Sequence, residues 1–295
     1  MPDDRGAAAV DLQQQELYRR LVFVVGNARS GTTIVAQILN MSESVFVLEE
    51  GALFLNLATP EFPRLFNARQ RAQGKPLRKG TYVPPFDGEQ ETGLATLQRL
   101  ARDFAFVGDK VAFTPAKLEG GTSPQQRFFE EHAKYFLGCR YIFIARNPHE
   151  SLLSMHRVMP TETLGALLWG WLESLRFLCI FTCWFPQWRL LFLEQIGEGA
   201  FAAIGHFLGL ELSAPDAFFD ARLRQTSLSA AYDFGREKQD EIGTSLGAAD
   251  IIYQDFQKFF SPTTLRYQGN EPIFGLMESV IRRIEAVQTA LQSAP

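Results

Sequence analysis

Leu21-Val22-Phe23-Val24-Val25-Gly26-Asn27-Ala28-Arg29-Ser30-Gly31-Thr32-Thr33-Ile34-Val35-Ala36-Gln37-Ile38-Leu39 decides how this chain folds. Leu21 to Val25 is a short apolar run, rich in β-branched residues and halted by Gly26, which predicts a buried strand. From Thr32 onward Ile34, Val35, Ile38 and Leu39 recur at helical spacing. Between strand and helix lies a Gly-x4-Gly frame, Gly26 to Gly31. Its glycines permit a tight turn, and the loop N–H groups together with the helix amino terminus attract an anion. An ordinary glycine turn would satisfy the bare frame; Arg-Ser-Gly-Thr-Thr in a strand–loop–helix setting favours a phosphate or phosphosulfate site.

Working outward, Val45 to Leu48 predicts a second strand ending at Glu49-Glu50-Gly51. Phe104 to Val107, Tyr141 to Ala145 and Leu190 to Leu193 predict three more. Ser123 to Phe136, His149 to Val158, Leu164 to Phe181 and Phe201 to Leu208 read as helices between them. Alternating strands and helices imply an α/β fold, a three-layer sandwich whose parallel sheet is flanked by helices. A single domain over 1–295 is expected, with a lid or substrate insertion at 56–100 and no clear assignment for 220–295. The stretch 56–86 lacks a clean period and is as readily a connection as a functional element.

The composition is that of a globular enzyme-sized chain: 295 residues, 46% hydrophobic and 21% charged, with a net charge of −4. That balance offers no general attraction to nucleic acid or to an anionic membrane, so any anion site must be local. Three cysteines, Cys139, Cys179 and Cys183, show no framework spacing and predict reduced thiols in a cytoplasmic setting. Four histidines without ligand spacing predict no metal site. The polar first twenty residues suggest no signal peptide. Leu164 to Leu193 is apolar but interrupted by Glu173, Arg176, Pro186 and Arg189, which points to core rather than a membrane span.

A nucleoside-triphosphate loop would place Lys after the second glycine, where Thr32 stands. Arg29, within the loop, is the fixed cation instead. Tyr141 to Ala145 runs into Arg146-Asn147-Pro148, so an anion-binding arginine occupies a strand end where a magnesium carboxylate would be needed. Ser154 follows eight residues later, two helical turns along, and Arg146 with Ser154 can grip one phosphate. Two separate anion sites on one sheet suit a nucleotide phosphorylated at both 5′ and 3′ positions.

On these motifs the chain resembles the sulfotransferase family. Gly26 to Thr33 looks like its 5′-phosphosulfate loop, Arg146 with Ser154 like its 3′-phosphate site, and Phe192 to Ile196 with Phe201 to Leu210 like its late strand and helix end. The resemblance covers roughly residues 20–210. It implies the phosphate-loop sulfotransferase fold, with 3′-phosphoadenosine 5′-phosphosulfate (PAPS) as co-substrate, the 3′,5′-bisphosphate PAP as product, and no metal. Arg29, Ser30, Gly31, Thr32 and Thr33 would hold the 5′ end, and Arg146 and Ser154 the 3′-phosphate.

Glu50, 21 residues after Arg29, looks like the catalytic glutamate of the tyrosylprotein-type branch, with Glu49 the fallback. Partial burial is expected to raise its pKa toward a useful value. Lys110 resembles the lysine that contacts the bridging oxygen, with Arg29 as a second cation there; the alternative is a surface lysine at a strand end. Where the small-molecule cytosolic branch has a base histidine, two residues beyond, this chain has Ala112. The arginine that follows the glutamate in the tyrosylprotein branch is Ala52 here, so a small-molecule acceptor is the better expectation. Arg236 and Lys238 are weaker candidates for late nucleotide contacts. The Trp169, Trp171, Phe177 and Phe181 set and His156 read as packing residues. The group Arg64, Arg69, Arg71, Lys75, Arg78 and Lys79 reads as a solvated face or as a welcome for an anionic acceptor. The rivals are a magnesium-dependent kinase or nucleotidase on the same scaffold and a non-catalytic nucleotide-binding protein.

Overall fold

A computed structural model describes residues 15–84, 90–114, 122–136, 138–212, 236–260 and 271–293. Five parallel strands form one sheet: β1 (Leu21–Asn27), β2 (Val45–Glu49), β3 (Phe106–Phe113), β4 (Arg140–Ala145) and β5 (Trp188–Phe192), in the order β2-β3-β1-β4-β5. Parallel neighbours need crossovers, and helices supply them. α1 (Thr32–Leu39) links β1 to β2. A short α2 (Leu53–Asn56), then α3 (Phe62–Ala72) and α4 (Gly93–Asp103), lead to β3. α5 (Pro124–Tyr135) leads to β4, and α6 (Pro148–Val158) with α7 (Leu164–Trp184) to β5. α8 (Glu198–Leu208), α9 (Arg236–Phe259) and α10 (Glu271–Ser293) follow.

The period of two along β1 explains the layers. Leu21, Phe23 and Val25 enter one core with residues of α4 to α7, α9 and α10, whereas Val22 and Val24 enter the other with α1 and α8. Both faces are covered, which is why β1 is buried at every position. The three-layer α/β arrangement is the one the alternating pattern implies.

Boundaries shifted where tertiary contacts overrode local pattern. β3 was expected to end at Val107 but runs to Phe113, carrying Gly108, Asp109 and Lys110 inside a central strand. Gly108 is needed there, since a Cβ would lie 1.7 Å from the Val22 carbonyl oxygen on β1. The polar pair is tolerated because partners at the neighbouring strand end satisfy it. The 56–100 segment contains α3 and the crossover helix α4, capped by Thr92 whose side chain accepts from the Ala95 N–H. Within 220–295, α9 and α10 are helices; 213–235 and 261–270 lie outside the described residues. α7 has the length and apolarity to cross a bilayer, but 67% of its most apolar window is buried in this fold.

Among the buried polar residues, His132 packs between the aromatic rings of the larger core. His132 on α5 is fully buried, stacked on Phe128 at 3.7 Å between ring centres, and its Nδ1 is 2.9 Å from the Tyr141 hydroxyl. Burial holds the imidazole well below its ordinary value near 6.5, so the folded chain keeps it neutral. The unfolded chain takes up that proton as pH falls below about 6.5, so unfolding binds protons and stability drops on acidification. Chemical denaturation at pH 7.5 and 5.5 should show this loss in the native sequence and a shallower one in His132→Phe.

Candidate active site

The strand carboxyl ends share one edge of the sheet, where ligands of open α/β folds bind. Gly26, one residue before the end of β1, must be glycine because a Cβ there would lie 2.5 Å from Ser30 Oγ and 2.6 Å from the Ile144 carbonyl oxygen. Arg29 (φ 67°) and Gly31 (φ 95°) then take left-handed conformations, bending the chain into α1. α4, α5, α6 and α7 begin with side-chain caps from Thr92, Ser123, Asn147 and Thr163, but α1 has no side-chain cap. First-turn amides have no acceptor within their own helix, so those of Thr32 and Thr33 are available to an anion.

These residues open on a cavity of about 610 Å³, a size suited to a small-molecule ligand. Arg29, Gly31, Thr32, Thr33, Glu50, Lys110, Arg146 and Ser154 all line it. Ser30 is the one expected contact that does not. Its N–H donates to the Asn27 carbonyl at 3.1 Å, and its buried hydroxyl lies against Gly26 without a hydrogen-bond partner among the described residues.

The two arginines are neighbours rather than separate poles. Arg29 Nε donates to Ser154 Oγ at 3.0 Å, so the loop reaches directly to α6. Arg146 Nη1 donates to the Arg29 carbonyl at 3.0 Å and Nη2 to Glu150 at 2.9 Å. Burial lowers the Arg146 pKa, with Glu150 and Glu194 pulling it back up, and a guanidinium so placed stays charged. The sequence reading missed the supports behind it. Trp171 Nε1 donates to the Arg146 carbonyl at 3.1 Å, the Asn147 N–H donates to Glu194 at 2.7 Å, and the Tyr253 hydroxyl donates to Glu194 at 2.8 Å. Glu150 was legible as the i+4 partner of Arg146. Glu194 and Tyr253 arrive from distant elements, with no local signal.

Opposite the arginines, Lys110 is 2% exposed, and its ammonium donates to Glu50 Oε1 at 2.5 Å and to Thr33 Oγ1 at 3.2 Å. It is therefore a buried cation joining the start of α1 to the glutamate, not a surface lysine. Arg29 is engaged on Ser154, and Lys110 is the nearest cation to Glu50. Lys75 adds a second ion pair to Glu50 at 3.5 Å. The expected rise in the Glu50 pKa does not occur. Burial does push it up, but the charge and hydrogen bonding of Lys110 and then Lys75 outweigh burial and hold it below the usual value. Glu49 turns away, fully buried, with both carboxylate oxygens bonded by Arg78 at 3.1 and 2.8 Å.

The basic group of the insertion is divided: Arg64, Arg69 and Arg71 lie on the exposed face, while Lys75, Arg78 and Lys79 are half-buried. Lys75 and Arg78 hold the two glutamates, Arg69 donates to the Glu50 carbonyl, Gln70 donates to the Glu49 carbonyl at 2.9 Å, and Arg64 pairs with Glu61. Asp109, next to Lys110 but on the other face of β3, accepts the Gly51 N–H at 2.8 Å and the Leu53 N–H at 3.0 Å. Burial pushes its pKa up to about 6, against those bonds and the Lys110 charge. Ala112, Thr114, Val158 and Met159 form the less polar wall. The side chains of Arg236 and Lys238 lie outside the described residues.

No protein-family model matches the chain, and no curated protein matches it in sequence. Solved structures similar in shape include three sulfotransferases. A sulfotransferase domain from the Synechococcus PCC 7002 olefin synthase has TM-score 0.48 and 16% identity over 68% of this chain and 76% of its own. Sulfotransferase STF9 from Mycobacterium avium has TM-score 0.46 and 14% identity, over 86% and 81%. A sulfotransferase from Alicyclobacillus acidocaldarius has TM-score 0.39 and 15% identity, over 92% and 98%. Likeness at this level decides nothing about chemistry, which rests on the chain's own residues.

The electrostatics make a direct prediction. In Lys110→Met the Glu50 carboxyl loses its nearest cation and should titrate at higher pH than in the native sequence, as followed by side-chain carboxyl NMR. An unmoved titration would show that Lys110 does not set the charge state of Glu50.

Proposed function

We propose that this chain is a sulfotransferase that moves a sulfuryl group from PAPS to a hydroxyl or amine of a small-molecule acceptor. The observation that carries the reading is the convergence of Arg29, Arg146, Lys110, Ser154 and the uncapped start of α1 on one cavity that also holds a single glutamate, Glu50. The donor set fits a polyanion: three cations, two first-turn amides and three hydroxyls, from Thr32, Thr33 and Ser154. On this reading the loop and Thr33 take the 5′ end of a bisphosphate nucleotide, and Arg146 with Ser154, which adjoin the loop through Arg29, take the 3′-phosphate.

When bound, that donor supplies a sulfuryl group whose S–O bond to the 5′-phosphate breaks as the acceptor oxygen or nitrogen bonds to sulfur, the electron pair leaving on the phosphate. Glu50 receives the acceptor proton on its carboxylate. Its lowered pKa keeps it ionised at neutral pH, so the carboxylate is unprotonated when the acceptor arrives, although the same ion pairs lower its basicity. Lys110, already placed between Thr33 and Glu50, offsets negative charge on the leaving oxygen. Arg29 and Arg146 orient the nucleotide, and Ala112, Val158 and Met159 offer the acceptor a less polar wall. Free thiols at Cys139, Cys179 and Cys183 fit a cytoplasmic setting.

PAP should raise the melting temperature more than ATP with magnesium does, and transfer of labelled sulfate from PAPS to a panel of phenols, alcohols and amines should detect the activity. Glu50→Gln should lower turnover by about 10²–10⁴-fold, the usual contribution of a general base, while PAP still binds. Unchanged turnover in that variant removes Glu50 as the base. A larger shift with ATP and magnesium points to the kinase reading, and binding of PAP without transfer to the nucleotide-binding protein.

A further inference from the structure

We propose that Asp109 is the positioning residue of this site: its carboxylate clamps the 50–53 turn and thereby holds the Glu50 side chain against Lys110. The proposal rests on the reading of Glu50 as the base and adds a residue that reading does not contain.

The turn needs a clamp. Glu50 (φ 68°) and Ala52 (φ 49°) are both left-handed although neither is glycine, a conformation that side-chain-bearing residues resist. Two such residues flanking Gly51 persist only where surrounding bonds determine them. Asp109 provides those bonds, one oxygen for the Gly51 N–H and the other for the Leu53 N–H, from a position that is 0% exposed. Successive N–H groups in a turn of this kind form a concave anion site, and here a side chain of the same fold fills it.

The geometry of β3 links this clamp to the reacting group. Consecutive residues of a strand point to opposite faces. Asp109 lies in register with Phe23 and Lys110 with Val24, two residues that belong to opposite cores. The chain leaving β2 crosses the sheet plane at the same place: the Glu50 carboxylate meets Lys110 on one face, and the backbone of residues 51–53 meets Asp109 on the other. One dipeptide therefore fixes both the side chain of Glu50 and the turn that aims it. A buried carboxylate is costly, and its raised pKa records that cost; an aliphatic residue would avoid it but leave two buried amides without acceptors.

Asp109→Asn keeps the shape but offers one acceptor oxygen and sets an NH₂ against the other amide. In the full chain it should lower kcat about 10–100-fold with PAP affinity within about threefold, the size expected when a reacting group is misplaced. The same change made in Glu50→Gln should cost less than about twofold, because there is no base left to misplace. Amide exchange of Gly51 and Leu53 should speed up while the β1 amides stay protected. Full kcat in a folded Asp109→Asn, an equal loss in both backgrounds, or unchanged exchange overturns the proposal. If Asp109→Asn does not fold, Gly51→Ala is judged by the same criteria, since its Cβ would press on Asp109 Oδ1 from 3.1 Å. A native chain that transfers no sulfuryl group defeats the functional reading instead, and the exchange measurement then decides the clamp alone.

Discussion

A lysine ammonium buried in the middle of a parallel sheet constrains everything around it. Lys110 stands on β3 between β2 and β1, almost without water, and a cation so placed must be surrounded by oxygen. Its two oxygens come from different elements, Thr33 from the start of α1 and Glu50 from the turn after β2. Satisfying one charge therefore brings the start of α1 and the glutamate to the same nitrogen. The result is a carboxylate held ionised beside a helix start, with the lysine positioned to offset the repulsion that an anion bound there would exert on it.

The anion side depends on what is left unfilled. Four helices of the fold cap themselves with a Thr, Ser or Asn side chain; α1, α2, α3 and α8 have none, and of these α1 is the one whose first turn lines the cavity. Arg29 and Arg146 then concentrate positive charge at that opening in a chain whose net charge is −4. Such local concentration in a low-dielectric cleft matters more to an anionic ligand than the overall balance does. Glu150 and Glu194 keep the buried Arg146 from being an unpaired charge, and α7 and α9 fix its backbone through Trp171 and, by way of Glu194, Tyr253.

The 56–100 segment belongs to this logic as a brace. Its cations and its Gln70 converge on the backbone and side chains of Glu49 and Glu50, and Glu49 serves as the buried anchor while Glu50 remains open to the cavity. Lys75 and Lys110 together explain why partial burial fails to raise the Glu50 pKa. Two ammonium groups near one carboxylate outweigh the desolvation of a group whose side chain is 46% exposed.

The amino-acid sequence by itself determined the α/β alternation, the glycine turn between β1 and α1, the arginine at the end of β4 and the candidate glutamate and lysine, because each is a local pattern of period, glycine spacing or charge at an element end. It misjudged the length of β3, since Gly108-Asp109-Lys110 looks like a strand end until partners from β1, β2 and the 50–53 turn are counted. Only the tertiary structure decided that Ser30 lies beneath the cavity wall, that Arg29 reaches Ser154, that Glu49 is an anchor and that Asp109 grips the turn. Those outcomes depend on which distant groups meet in space, and a buried charge takes its role from the partner that satisfies it, which the order of residues along the chain does not state.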